Sequence, residues 1–189
     1  MNGARFWDRV RCLFLPRSHR RRIRQARRVL AKLRPWLSQG DQGRARMFGY
    51  LRKIDALSFE ELVLQAFVDM GWRVRRGVRY SGDGGVDGHV RLPGDPYWTA
   101  IQCKRYSSAI DPRHVREFAA LVYPRRGLFI HTGRTGQQSR EAQGAAVLMV
   151  SGDRLVALIA GRLDVPLNFR RGSYRQDRND PALIKRSHP

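Results

Sequence analysis

Apolar residues at Ile23, Ala26, Leu30, Leu33 and Leu37 recur at spacings of 3, 4, 3 and 4. That is the period of one helical face and predicts a helix over 17–34. Its remaining faces are cationic, with Arg20, Arg21, Arg22, Arg24, Arg27, Arg28 and Lys32. Pro35 lacks an amide hydrogen and ends or kinks this helix, and Gly40, Asp41 and Gly43 predict a linker behind it. The next helical run is Phe59, Leu62, Val63, Ala66, Phe67 and Met70. Ser58 and Glu61 have the spacing of a capping box, Leu57 and Leu62 that of a hydrophobic staple, and Gly71 supplies a stop.

Strand-like runs follow at 72–80, 85–91 and 97–104, separated by polar and glycine- or proline-rich turns at 81–84 and 93–96. Asp111 before Pro112 predicts a capped helix to Val122. A buried strand is predicted at 127–132 and a helix at 135–146, capped by Thr135 with Gln138. A last strand at 147–151 and a short helix capped by Asp153, running to Ala160, complete the pattern. The order from residue 58 is α-β-β-β-α-β-α-β-α, which predicts an α/β fold: a mixed β-sheet flanked by helices.

Charge divides the chain more sharply than hydropathy does. The 189 residues carry 37 basic and 16 acidic side chains, a net +21. Residues 1–53 hold 16 basic and 2 acidic groups, 54–165 hold 15 and 12, and 166–189 hold 6 and 2. The expected organisation is therefore a basic helical extension with a linker (1–53), a nearly balanced globular domain (54–165) and a basic, disordered tail (166–189). Such an excess calls for a polyanionic partner, nucleic acid ahead of an anionic membrane surface. Cys12 and Cys103, 91 positions apart, exclude a disulfide framework and a cysteine zinc site. No apolar run reaches the ~18 residues needed to span a bilayer. Val10 to Leu15 is broken by Arg11 and too short for a signal-peptide core. A cytoplasmic protein is the expectation.

The residues that suggest chemistry lie on the predicted strands. Alternation puts Gln102 and Lys104 on one face, with Cys103 on the other. Asp87 and His89 share a face of the preceding strand, opposite Val86 and Val90. Pairing the strands with these faces aligned gathers Asp87, Gln102 and Lys104 near a sheet end. Two oxygen donors and an ammonium so placed suit a hard divalent cation and its water; an exposed face of unrelated polar residues fits the same pattern. Two observations favour chemistry. Only four of the cations are lysine (Lys32, Lys53, Lys104, Lys185), and one of these stands in an apolar strand. Glu60 falls at the border of the apolar helix face, where a carboxylate needs a cation or donor, whereas Glu61 is expected in solvent with its capping role.

Four blocks in order then identify a resemblance. They are Ser58-Phe59-Glu60-Glu61-Leu62-Val63, Gly82-Asp83-Gly84-Gly85-Val86-Asp87, Gln102-Cys103-Lys104-Arg105-Tyr106, and Gly127-Leu128-Phe129-Ile130-His131-Thr132-Gly133 followed by Glu141-Ala142. Over roughly 100 residues, 57–159, the chain resembles the catalytic domain of Mrr-like restriction endonucleases in the PD-(D/E)xK nuclease superfamily. The resemblance implies a restriction-endonuclease-like fold and metal-dependent cleavage of phosphodiesters in double-stranded DNA. It implies magnesium, with manganese as a substitute, held by Asp87, Gln102 and the Cys103 carbonyl. Lys104 becomes the water-orienting lysine and Glu60 the helix carboxylate. Gln102 stands where the superfamily usually has an acid, a substitution typical of the Mrr branch, and a neutral amide attracts a dication less than a carboxylate does.

Weaker candidates surround this set. Thr132 and Arg134, with His131, end a strand before a predicted helix, where anions bind readily. Arg105, and Arg24 and Arg28 on the first helix, are further candidates for phosphate contact. Asp83 reads as a turn aspartate, His89 as a structural strand histidine and Trp98 as packing. Double-strand cleavage would pair two copies of the chain. Two alternatives remain at this point: a nuclease-fold module that binds DNA without cutting it, and a nuclease tethered to a membrane or partner through its first helix.

Overall fold

A computed structural model describes residues 17–77, 85–166 and 169. Helix α1 (Arg17–Leu33) runs into a 3-10 segment (Arg34–Gln39) and helix α2 (Gly40–Leu51). There follow α3 (Ala56–Asp69), β1 (Arg73–Arg76), β2 (Gly88–Arg91), β3 (Thr99–Lys104), α4 (Pro112–Val122), β4 (Gly127–His131), α5 (Gln137–Gln143), β5 (Val147–Val150) and α6 (Gly152–Ile159). The strands form one sheet in the order β1-β2-β3-β4-β5. β1, β2 and β3 pair antiparallel, while β3, β4 and β5 pair parallel. From α3 onward the element order is the predicted one, and the fold is a mixed sheet flanked by helices. Positions 78–84 and the tail at 170–189, with the turn and disorder expected of them, lie outside the described residues.

Each side of the sheet has its own core. Val74, Val90, Ile101, Cys103, Leu128, Ile130, Leu148 and Val150 pack with α3 and α6. On the other side Ala100, Phe129, Val147 and Met149 pack with Val115, Phe118 and Val122 of α4. β3 and β4 contribute to both, which explains why they read as continuous apolar runs. Among the described residues no helix is long and apolar enough to cross a membrane.

The predicted linker is instead helical. Gly43 lies in the first turn of α2, and a Cβ there would stand 1.7 Å from the Trp36 carbonyl oxygen. The glycine serves close packing of a helix on the preceding turn, not flexibility. Cap positions shift as well. Asp55, not Ser58, caps α3: its side chain accepts the Ser58 amide at 2.9 Å. α5 starts at Gln137 with Gly136 as its cap, and Thr135 Oγ1 lies 3.0 Å from Ser151 Oγ. Ser151 rather than Asp153 precedes α6, and Asp153 pairs with Arg44 of α2. Asp111 caps α4 as expected, accepting the Arg113 amide at 2.9 Å.

The leucine stripe of α1 docks on α3. Ala26, Leu30 and Leu33 of α1, with Met47 and Leu51 of α2, belong to the same buried cluster as Phe59, Leu62 and Phe67. Arg34 reinforces the seam, pairing with Asp69 of α3 at 2.6 Å and donating to the Ile159 carbonyl of α6 at 3.0 Å. This cover overturns the expectation for Glu61, which is only 4% exposed. Its Oε1 accepts from Arg76 Nε at 2.8 Å, and His19 Nε2 of α1 approaches its Oε2 at 3.6 Å. The face judged solvent-facing from one helix alone is the face that α1 and β1 close over.

Candidate active site

The site is built on the pairing of β2 with β3. Gly88 stands opposite Ile101, so Asp87, one residue earlier, comes level with Gln102. The Asp87 amide donates to the Ile101 carbonyl at 2.8 Å and its carbonyl accepts from Gly77 at 3.1 Å. Its side chain is fixed too: Oδ2 accepts the Cys103 amide at 2.6 Å. The carboxylate is thus anchored to the backbone of the strand that carries Gln102 and Lys104. Burial raises the Asp87 pKa, while the Cys103 amide and the Lys104 ammonium act to lower it.

α3 brings a second acid to this point. Glu60, half-buried, is pushed up to about 7, first by burial and then by the Asp87 carboxylate, with Arg22 of α1 opposing. The Cys103 thiol is held well above its ordinary value by burial and by the same two carboxylates. Glu60, Asp87, Cys103 and Lys104 therefore share one electrostatic neighbourhood. Gln102, 7% exposed, is level with them, and its Oε1 is buried without a hydrogen-bond partner.

Gly85 is a site residue whose role sequence reasoning did not assign. Its φ of +117° belongs to glycine, and a Cβ there would come within 2.3 Å of Gln102 Nε2. It leaves the room in which the Gln102 amide sits. The signal was present in the Gly82–Asp87 block, but glycine-rich turns are common and nothing in the sequence pairs Gly85 with Gln102.

A hard divalent cation fits what is here. The Asp87 carboxylate acts on Glu60, and the Gln102 amide oxygen level with Asp87 is buried without a hydrogen-bond partner, so a cation placed there would meet negative charge and a free oxygen donor. Among the described residues no group of three or more His, Cys, Asp and Glu is arranged to hold a metal.

The electrostatics give a testable pH dependence. Between the ordinary carboxyl value of 4.5 and about 7, the folded chain binds more protons at Glu60 than the unfolded chain does. Its contribution to stability is therefore lost as pH rises through that window. In EDTA, Glu60→Gln is expected to flatten this fall, read as the difference between the two proteins' urea midpoints across pH 4.5 to 7.5. A difference independent of pH would show that the Glu60 pKa is not raised in the folded chain.

The remaining predicted contacts separate into two groups. Arg105, Arg134, Arg24 and Arg28 are exposed, although Arg105 also donates to the Arg52 carbonyl at 3.0 Å. Thr132 is fully buried. Its hydroxyl accepts the Tyr106 amide and donates to the Tyr106 carbonyl, both at 2.9 Å. It clamps the chain leaving β3 and has no surface to offer a phosphate. His131 is also fully buried and pushed down to about 4 by that burial, hence neutral. Asp83 lies outside the described residues.

Comparison with protein families gives a match over more than half of the chain. Residues 51–159 fit the family model Mrr_cat, described as restriction endonuclease. Among curated proteins and among solved structures nothing matches.

Proposed function

Because the chain belongs to the Mrr-type restriction endonuclease family, whose catalytic-domain model spans 51–159, we propose that it is a magnesium-dependent endonuclease. Its substrate would be double-stranded DNA in a restriction or genome-defence setting. The observation that carries this reading is the Asp87 carboxylate fixed on the β3 backbone, with Glu60 and Lys104 in electrostatic reach and an unpartnered Gln102 oxygen level with it.

Asp87, Gln102 and the Cys103 carbonyl would hold the ion, magnesium or in its place manganese. Bound there, a divalent cation supplies charge neutralisation at the scissile phosphate and an acidified water. The chain's own residues do the rest. The Cys103 amide fixes the direction of the Asp87 carboxylate, so it needs no reorganisation during reaction. Lys104 orients the attacking water or stabilises charge growing on the phosphate. Glu60 adds negative charge that favours cation occupancy over an empty site. Arg24 and Arg28, on the outward face of α1, add phosphate contacts that hold duplex without reading sequence.

The test is incubation of the full-length protein with methylated and unmethylated plasmid, with and without magnesium, beside Asp87→Asn. Magnesium-dependent nicking or linearisation that Asp87→Asn lacks is expected. DNA binding without cleavage under any divalent cation would make the protein a binding module instead.

Gln102→Glu probes the ligand set more finely. A carboxylate in place of the amide should lower the magnesium concentration for half-maximal cleavage severalfold. It should also lower the maximal rate, because Lys104 is drawn toward the new charge. A metal titration identical to the parent's would remove Gln102 from the ion.

A further inference from the structure

Among the described residues, the α4 side of the sheet is not covered to its edge. The apolar cluster on this side draws on β3, β4, β5 and α4 and on no residue of β1 or β2 themselves; Val86, expected on the face of Val90, packs against it instead, just ahead of β2. Val74 and Val90 point to the opposite core, and a Cβ on Gly88 would lie 3.1 Å from Leu64 of α3. By alternation Arg73 and Arg75 of β1 and His89 and Arg91 of β2 stand on the α4 side, with Ala100, Gln102 and Lys104. The register turns this face into rows. Arg73 is opposite Arg91, and continuing the β2–β3 pairing one step sets Trp98 beside Arg91. Arg75, His89 and Ala100 form the next row, and one step beyond the last ladder pair, Gly88 with Ile101, Asp87 comes level with Gln102.

Three features mark these arginines as more than a solvated edge. Trp98 carries two of them, with the Arg75 guanidinium 4.1 Å and the Arg91 guanidinium 5.2 Å from its ring centroid. The ring is a support already occupied by cations, which leaves little of it for stacking a base. Arg73 and Arg91 face each other directly across the strands, a like-charge pairing that destabilises a sheet. And among the described residues none of Arg73, Arg75 and Arg91 has a carboxylate partner. Repelling guanidiniums held in place by an aromatic support are pre-organised for a polyanion.

We propose that the α4-side face of β1 and β2 is a track for the DNA phosphate backbone, formed by Arg73, Arg75 and Arg91 on the Trp98 support and leading toward Asp87, Gln102 and Lys104. This rests on the nuclease reading and adds to it where the duplex lies. The Arg91–Trp98 row is four residues from the Asp87–Gln102 row, about 13 Å along the strands. The track lies on the same sheet face as Lys104, whereas α1 lies over α3 on the opposite side. The two basic surfaces therefore do separate work: the track sets the register of the scissile phosphate, and α1 adds affinity.

The experiment compares the full-length protein, Arg75→Gln/Arg91→Gln and the equal-charge control Arg116→Gln/Arg162→Gln, whose arginines are exposed elsewhere. Binding to a fluorescent 20-base-pair duplex is followed by anisotropy in EDTA across a salt series. The track variant should lose affinity at least tenfold, and its slope of log affinity against log salt should fall by about 1.8, at 0.9 per lost contact. The control slope should stay close to the parent's. Equal slope changes in the two variants would overturn the track while leaving the nuclease reading intact; a parent protein without salt-dependent binding would overturn that reading itself. Phenylglyoxal footprinting of the unaltered protein needs no variant to fold. Saturating duplex should protect Arg73, Arg75 and Arg91 while Arg116 stays reactive, and unchanged reactivity of the three would overturn the track.

Discussion

Replacing Lys104 by alanine is expected to lower the single-turnover cleavage rate by about 10²- to 10³-fold, the range seen when one transition-state donor is removed. DNA affinity should stay within a few-fold, because one ammonium is a minor part of a chain carrying a net +21. The structure gives the reason for this split. Lys104 ends β3 half-buried, next to the Asp87 carboxylate whose pKa it acts to lower. Its influence falls on the reacting centre and not on the broad basic surface. Lys104→Arg should not restore the rate, since a planar guanidinium is bulkier and more weakly hydrated than the compact ammonium. A parallel loss of binding and cleavage, or recovery with arginine, would assign Lys104 to phosphate holding alone.

What could be read from the sequence was whatever a single element decides for itself. Period-2 alternation put Gln102 and Lys104 on one strand face, and the register of β2 on β3 sets Asp87 level with Gln102. Asp111 before Pro112 marked the start of α4 because both cap and ring act within one turn. The helix caps moved by a turn or less, from Ser58 to Asp55 and from Thr135 to Gly136, but the failures that bear on packing and on the site involve a second element. Glu61 looked solvated because the helical wheel of α3 cannot know that α1 covers that side. Gly43 looked like part of a linker because the Trp36 carbonyl it packs against is not visible in a local window. Thr132 looked like an anion ligand by its position after a strand, but the segment leaving β3 takes its hydroxyl. Gly85 and Gln102 are seventeen residues apart, and their contact exists only once the sheet has formed. Trp98 read as packing, and packing it is, but against two guanidiniums.

The cover that hid Glu61 leads to the largest structural effect expected. Deleting residues 1–39 removes α1 and the 3-10 segment, and with them the buried Ile23, Ala26, Leu30 and Leu33. At about 1.5 to 3 kcal/mol for each of the three large buried apolar side chains, the loss is on the order of 5 to 9 kcal/mol. A typical domain has a total stability of about 5 to 15 kcal/mol. The deletion also bares the apolar side of α3 and frees Asp69 from Arg34, and it opens the Glu61–Arg76 ion pair to water. The truncated chain is therefore expected to aggregate or to unfold without a cooperative thermal transition. Replacing the outward Arg24 and Arg28 with glutamine should instead leave the melting temperature within a few degrees and weaken DNA binding evenly across sequences. Circular dichroism melts of both forms decide the matter. A truncated protein that melts cooperatively near the parent temperature would show that α1 is a detachable basic arm and not part of the catalytic domain's core.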